Sequence, residues 1–417
     1  MATDPLSSSI STNTVILELG HKIFRAGYAG DFRPRCTAPA PPISARTFSG
    51  YLSALTPALS NLLLQGLLAG TAPGGGLRAI VLDRGLGEDP RFRRAVVWAL
   101  LDGLGGVPSD RGRALVGSVC FLPSIVAALY SMPRASGRTK QEEEDDVSRK
   151  FTTGTVALVV DWGAADVRVA CVYHDGGEDY GWDGRDVTPA HVIDGTYQVC
   201  PMGFESILRN LRQYLPASSP NGDTWSRSDT FEIFQTITRT MITNGTLHPS
   251  CKDVVDNFAE KKEEEPSTSY PVTLPSSGHL SFPVLPDPVL DSLALIFDAN
   301  DPDSPPYALL ECLLSCPIDM RKRAASNILV VGGGAEALRG AGVDVIAGLR
   351  CATERGVSEG RKFARLKVCV EGMVIRDPVG KERELGAWLG ASVAACAEEI
   401  GTGGWITRAS FLPREED

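Results

Sequence analysis

The feature that most constrains this chain is a pattern used twice. Val15-Ile-Leu-Glu-Leu-Gly20 is an apolar run that delivers an acid and a glycine to a turn. Lys22 to Tyr28 can return as its partner strand, and Gly27, Gly30, Asp31 and Pro34 close the unit. Thr155-Val-Ala-Leu-Val-Val-Asp161-Trp-Gly163 repeats the plan, with Val167 to Tyr173 alternating as the return strand and Asp175-Gly176-Gly177 as the next turn. Short apolar runs bounded by glycine read as buried strands. Two such units in one chain predict a duplicated α/β architecture.

Between and after the repeats, further elements are legible. Ala79 to Leu82 and Val119 to Leu122 read as short strands; Pro90 to Leu104, Ser124 to Ser131, Ala308 to Cys316, Val343 to Arg350 and Ala387 to Glu399 read as helices. Asn327-Ile-Leu-Val-Val-Gly-Gly-Gly334 is a third strand running into a glycine turn. The charged stretch 134–152, with Gln-Glu-Glu-Glu-Asp-Asp inside it, reads as a solvated insertion, as do 218–228 and 260–269.

A strand that runs into a glycine turn exposes backbone N–H groups able to cradle phosphate. Gly20, Gly163 and Gly332-Gly333-Gly334 are three such turns, and Glu18 and Asp161 are acids that could hold Mg²⁺ through water. A glycine after a strand is, singly, most often only a turn. Gly332 to Ala337 also satisfies a dinucleotide fingerprint with Glu354 downstream, but that fingerprint normally opens a domain.

Composition narrows the classes. With 41 Lys and Arg against 51 Asp and Glu the formal charge is −10, a poor match to a dedicated nucleic-acid binder. The ten cysteines form no CxxC pair and the five histidines show no ligand spacing, so metal is expected at neither, and reduced thiols are expected. Met1 to Ser11 is polar and lacks a leader pattern, and no run of eighteen apolar residues exists.

In order along nearly the whole chain, these residues resemble the actin family. Glu18 to Arg35 looks like actin's first phosphate loop and its AGxAGDxxPR tail. Val156 to Gly176 resembles the second loop, and Cys316-Pro-Ile-Asp-Met-Arg-Lys322 followed by Asn327 to Gly334 is the most specific match. Tyr270 to His279 and Trp405 to Phe411 also have counterparts. The resemblance implies an α/β, actin-like two-lobed fold of duplicated ribonuclease-H-like domains. The first lobe would be 1–133 with 386–417, the charged insertion 134–152, and the second lobe 153–385, with a fourth subdomain at about 201–307. Cys36 to Leu77 would be a shortened subdomain 2, since the family uses a far longer stretch there.

The departures carry as much information. The family's Asp-x-Gly-Ser-Gly is here Glu18-Leu19-Gly20-His21-Lys22, and its Asp-Ser-Gly-Asp-Gly is Asp161-Trp162-Gly163-Ala164-Ala165. Arg25 stands where the family has a phosphate-contacting Lys; Lys22 could neutralise a phosphate. The family's water-placing Gln falls on Ser124 and its nearby His on Arg168. Counterparts of the adenine contacts fall on Thr238, Arg239 and Leu385. The candidate nucleotide-binding set is therefore degenerate: Glu18, Gly20, Lys22, Arg25, Asp161, Gly163, Gly332, Gly333 and Gly334. Hydrolysis needs an oriented water and stabilised charge, so no catalytic residue and very slow or absent ATP hydrolysis are expected. ATP or ADP with Mg²⁺ would at most be a trapped structural ligand.

Head-to-tail filaments grow without limit unless one face is missing. A protomer without the subdomain-2 face could join an end and stop growth, with Tyr130 as a candidate filament-interface residue. The resemblance thus implies a non-catalytic, cytoplasmic, cytoskeletal subunit that caps the pointed end of an actin-like filament and does not polymerise by itself. Its partners would be a filament-forming actin-related protein and the other pointed-end subunits of dynactin, in dynein-driven microtubule transport. A nuclear subunit of a chromatin remodeller and a slow ATPase of the actin, chaperone and sugar-kinase superfold are the alternatives.

Overall fold

The computed structural model describes residues 13–43, 45–68, 76–83, 89–104, 115–132, 155–174, 190–215, 225–249, 270–273, 281–284, 287–379, 381–396, 400 and 404–411. The insertion at 134–152, the turn at 175–177, the segment 260–269 and His279 lie outside these. The chain divides into two units: 1–155 with 173–191 and 385–417, and 156–172 with 192–384.

The first unit is built on a six-stranded mixed sheet. Its strands are β1 (Thr14–Leu19), β2 (Ile23–Tyr28), β3 (Cys36–Pro39), β4 (Leu77–Asp83) and β5 (Val116–Pro123), with a short β14 (Ile406–Thr407) at one edge; the spatial order is β14-β5-β4-β1-β2-β3. β1, β4 and β5 run parallel, while β2 returns antiparallel to β1 and β3 antiparallel to β2. All six β1 residues are buried, as expected of a central strand covered on both faces.

The stretch from Cys36 to Leu77, expected as a shortened subdomain 2, supplies the edge strand β3 and then a helix, α1 (Phe48–Ser60). Thr47 caps α1, its Oγ1 accepting from the Gly50 N–H at 3.1 Å. Tyr51, Leu55 and Leu59 recur at helical spacing and are buried in the core of the first sheet. Pro57 lies inside α1, and the chain continues as a π turn over Asn61–Leu67 that buries Leu62, Leu63 and Leu67 in the same core. α2 (Pro90–Trp98) packs on α1: the Tyr51 hydroxyl donates to Asp89, the residue that caps α2, and the Tyr51 and Phe92 rings meet edge to face at 5.3 Å. α3 (Ser124–Leu129) follows β5 directly.

The second sheet repeats the plan of the first. β6 (Thr155–Trp162) is followed by β7 (Val167–His174), β8 (Ala190–Val192) and β9 (Gln198–Cys200), and later by β12 (Ile328–Val331) and β13 (Ile375–Arg376), in the order β13-β12-β6-β7-β8 with β9 also on β7. β13, β12 and β6 are mutually parallel. In both sheets, then, three parallel strands are followed by the return strand of a hairpin; the hairpin is the part that the repeated sequence pattern predicts. Around this sheet lie α4 (Phe204–Tyr214), α5 (Arg227–Thr243), α6 (Asp287–Ile296), α7 (Pro305–Ser315), α8 (Ile318–Ala325), α9 (Gly333–Gly340), α10 (Val345–Glu359) and α11 (Lys367–Glu371); β10 (Tyr270–Thr273) and β11 (Ser281–Val284) pair with each other. α12 (Gly386–Cys396) and α13 (Arg408–Phe411) belong to the first unit.

α12 fastens the end of the first hairpin. The Gly30 N–H donates to Ser392 Oγ at 2.7 Å, and the Trp388 indole, against Gly27, donates to the Asp31 carbonyl at 3.4 Å. Asp31 organises the turn itself: its carboxylate accepts from the Tyr28 N–H at 2.8 Å and takes two hydrogen bonds from the Arg35 guanidinium at 2.8 and 2.9 Å. The Gly-Asp-x-x-Pro-Arg segment therefore has a structural task, closing the hairpin onto α12.

Candidate functional site

The two repeated turns have the same geometry. Gly20 donates its N–H to the Ile23 carbonyl at 3.1 Å, and Gly163 donates to the Asp166 carbonyl at 2.9 Å. Each is a two-residue hairpin loop, His21-Lys22 in one and Ala164-Ala165 in the other. A Cβ on Gly20 would stand 2.9 Å from the Ile23 oxygen, and one on Gly163 would stand 3.0 Å from the Asp166 oxygen. Close backbone approach across the hairpin therefore explains glycine at both positions. It also occupies an N–H group that a phosphate cradle would turn toward its ligand.

At each turn an arginine of the return strand bonds an acid: the predicted Glu18 in the first unit, and Asp166 rather than the predicted Asp161 in the second. In the first unit Glu18 on β1 lies opposite Arg25 on β2 in the antiparallel register. The Arg25 guanidinium reaches the Glu18 carboxylate at 3.1 Å, and the two side chains are 1% and 11% exposed respectively for Glu18 and Arg25. In the second unit Arg168 is placed five residues after Gly163, as Arg25 is after Gly20. It is buried on β7 and bonds Asp166 at 3.0 Å. Burial pulls the Arg168 pKa down, but Asp166, Tyr197 and Asp161 outweigh it and hold the guanidinium above its ordinary value. Glu18 and Asp166 each bond an arginine, and the Arg168 charge also acts on Asp161.

The third glycine turn lies against the second. Val331 on β12 pairs with Asp161 on β6. Gly332 has φ +106°, and a Cβ there would stand 2.8 Å from Asp161 Oδ1; its N–H donates to the Arg383 carbonyl at 2.7 Å. A Cβ on Gly334 would meet the Trp162 ring at 2.8 Å, whereas the Cβ position of Gly333 faces open space. Of the predicted residues, Asp161, Gly163, Gly332 and Gly334 thus come together in the second unit, with Gly333 beside them. Glu18, Gly20, Lys22 and Arg25 come together in the first.

Trp162 changes what the second group can hold. Its indole is fully buried, lies against Gly334 and meets Phe297 edge to face at 6.2 Å. An apolar ring fills space where a short hydroxyl side chain would leave room. Lys22 and His21 are exposed at the tip of the first hairpin, and with Arg46 they give a basic rim to a cavity of about 410 Å³ that also touches Ala40, Pro41 and Tyr51.

The other expected contacts have structural partners. Thr238 is buried and bonds back to the Phe234 carbonyl within α5 at 2.7 Å; Arg239 donates to the Gly340 carbonyl at the end of α9 at 2.9 Å; Leu385 is buried. Ser124 is the buried first residue of α3. Tyr130, expected to offer a face to a neighbouring protomer, is 3% exposed and edge-on to His174 at 5.8 Å, so a partner would find little of its ring. Sequence reasoning missed Arg383, which is buried, donates to Asp377 at 2.6 Å and supports the Gly332 turn through its carbonyl. No short motif marks it. The Arg25 and Arg168 pairing had a signal, the equal spacing of each arginine from its glycine.

No group of His, Cys, Asp and Glu that could hold a metal ion occurs among the described residues, and no helix among them is long and apolar enough to cross a membrane. No protein-family model matches the chain. No curated protein matches it either.

Proposed function

We propose that this chain is a non-catalytic, actin-like structural subunit that ends an actin-like filament at its pointed end. The observation that carries the reading is the arginine bound to an acid at each repeated turn: Arg25 on Glu18 and Arg168 on Asp166. A nucleotide-dependent site of this kind needs its acids for a metal ion and its turn amides for phosphate. Here arginines of the return strands supply the positive charge from within the chain, and Trp162 occupies space beside the second turn. The fold of each unit then depends on no bound fuel.

The fate of the segment after Cys36 supports the capping part of the reading. It is spent on an edge strand and a helix buried in the core of the first sheet, with Tyr51, Leu55 and Leu59 turned inward. Where the described part of this stretch is buried in the chain's own core it is not offered as a separate interlocking face, and open-ended growth requires two complementary faces. The buried position of Tyr130 moves the expected docking surface away from that ring. The partners in this reading are a filament-forming actin-related protein and the pointed-end subunits of dynactin.

Two measurements test the proposal. Denaturing extraction of the purified chain should release adenine nucleotide at far below one equivalent, and phosphate release from added ATP should match the buffer blank; stoichiometric nucleotide with turnover would refute the non-catalytic reading. Addition to filaments of an actin-related protein should slow elongation at the pointed end only. Unchanged growth at that end, or failure to co-purify with intact dynactin, would refute the capping reading.

A further inference from the structure

The second unit contains a buried pair of thiols that the site described above does not use. Cys171 lies in the middle of β7 and Cys316 at the C-terminal end of α7, 145 positions apart, with their sulfurs 3.6 Å from each other. Both are buried, and Cys312, one turn earlier on α7, is buried beside them. Two sulfurs in contact need to close only to the ~2.05 Å of a disulfide, about the displacement of a small rotamer change.

The surroundings distinguish the two thiols. Cys316 sits just beneath the corner between α7 and α8: Ser315 and Pro317 on either side are exposed, and Ile318 is 81% exposed. Arg321 straps that corner, donating to the Cys316 carbonyl at 2.9 Å and the Leu314 carbonyl at 2.7 Å. The contact between the two sulfurs and the Arg321 charge favour a thiolate at Cys316 against the cost of its burial, while the same contact and burial hold the Cys171 thiol protonated. Two buried sulfurs in contact, one of them flanked along the chain by the exposed Ser315 and Pro317, set a peroxide-reactive thiol beside a resolving thiol.

We propose that Cys316 and Cys171 form a redox-modification site at which hydrogen peroxide converts the dithiol into a disulfide joining β7 to α7. The Cys316 thiolate attacks one peroxide oxygen; the O–O bond breaks, the departing hydroxide takes a proton and leaves as water, and Cys316 becomes a sulfenic acid. The Cys171 sulfur then attacks the Cys316 sulfur; the S–O bond breaks, and the hydroxide leaves as a second water with the Cys171 proton. Two thiols lose two electrons in total and one peroxide becomes two waters. A dithiol reductant reverses the link.

The test uses the full chain, reduced, desalted and exposed to hydrogen peroxide, then blocked with an alkylating agent, proteolysed and mapped by mass spectrometry. The expected result is a Cys171–Cys316 linked peptide that disappears on treatment with dithiothreitol. It should be lost in Cys316→Ser, and in Cys171→Ala the Cys316 sulfenic acid should accumulate and be trapped by dimedone. Recovery of both residues as alkylated thiols while the exposed Cys396 is oxidised would overturn the proposal. So would a link from Cys316 to Cys312 in place of Cys171. The wild-type map decides the matter even if a variant fails to fold.

Discussion

Arg25→Met probes the ion pair on which the first hairpin depends. The replacement keeps most of the aliphatic bulk and removes the charge 3.1 Å from a carboxylate that is 1% exposed. At an effective dielectric constant of about 20, two unit charges at that distance attract by roughly 5 kcal/mol. Much of this offsets the desolvation of both ions, so the pair adds little net stability. Its loss, however, leaves Glu18 as a buried charge without this partner, a change that costs about 3–5 kcal/mol. Glu18→Gln in the same background removes that charge, and the double variant should recover most of the loss, giving a coupling of roughly 2–3 kcal/mol. Urea unfolding followed by circular dichroism measures each corner of the cycle, with a shifted midpoint at unchanged slope read as stability. Saturating Mg-ATP should not restore Arg25→Met. A loss below about 1 kcal/mol, the size expected of an exposed pair, would refute the claim that this arginine is what makes a buried acid tolerable there. Rescue by Mg-ATP would refute the claim that the arginine stands in for a ligand.

Three other outcomes follow from the same structure. Gly332→Ala should cost at least ~3 kcal/mol, because φ +106° strains any side chain and the new Cβ meets the end of β6; an unshifted melting temperature would contradict this. Trp162→Ser should cost about 3–5 kcal/mol by opening a cavity beside Phe297 and Gly334, and equilibrium dialysis should detect no gain in ATP binding, a gain being the contrary result. Burial raises the Cys120 and Cys200 thiols to about 12, above the 9.0 of an open thiol. The unfolded chain therefore releases these protons before the folded chain does. Stability is full below about pH 9 and falls as pH rises toward 12, by up to ~1.4 kcal/mol per unit per thiol. Cys120→Ser should flatten that slope in urea titrations, and an unchanged slope would count against it.

The repeated strand-and-glycine plan was readable because a central strand is apolar along its whole length and its turn demands a glycine, constraints that act within ten residues. The α1 helix was not, since Pro57 and the surrounding Ser, Thr and Gly argue against a helix locally. Burial of Tyr51, Leu55 and Leu59 in the sheet core overrides that preference. Lys22 and Arg25 were read together as basic residues near a phosphate, yet strand alternation separates them: Lys22 points to solvent from the turn, and Arg25 turns inward onto Glu18. The loss of a hydroxyl at Trp162 was visible, but that the indole would be buried against Gly334 depends on β12 lying beside β6, a pairing between residues 170 positions apart. Arg383 is hidden for the same reason, its partner Gly332 being contributed by a distant strand.

Arg25 and Arg168 have one property that no dissolved cation shares: they are covalently tethered to the acids they neutralise. Their local concentration is set by a short hairpin, so neither dilution nor starvation of the cell can strip them away. On the function proposed above, a component built on such counterions would keep no count of elapsed hydrolysis cycles, and its shape should be the same in an energy-rich and an energy-depleted cell.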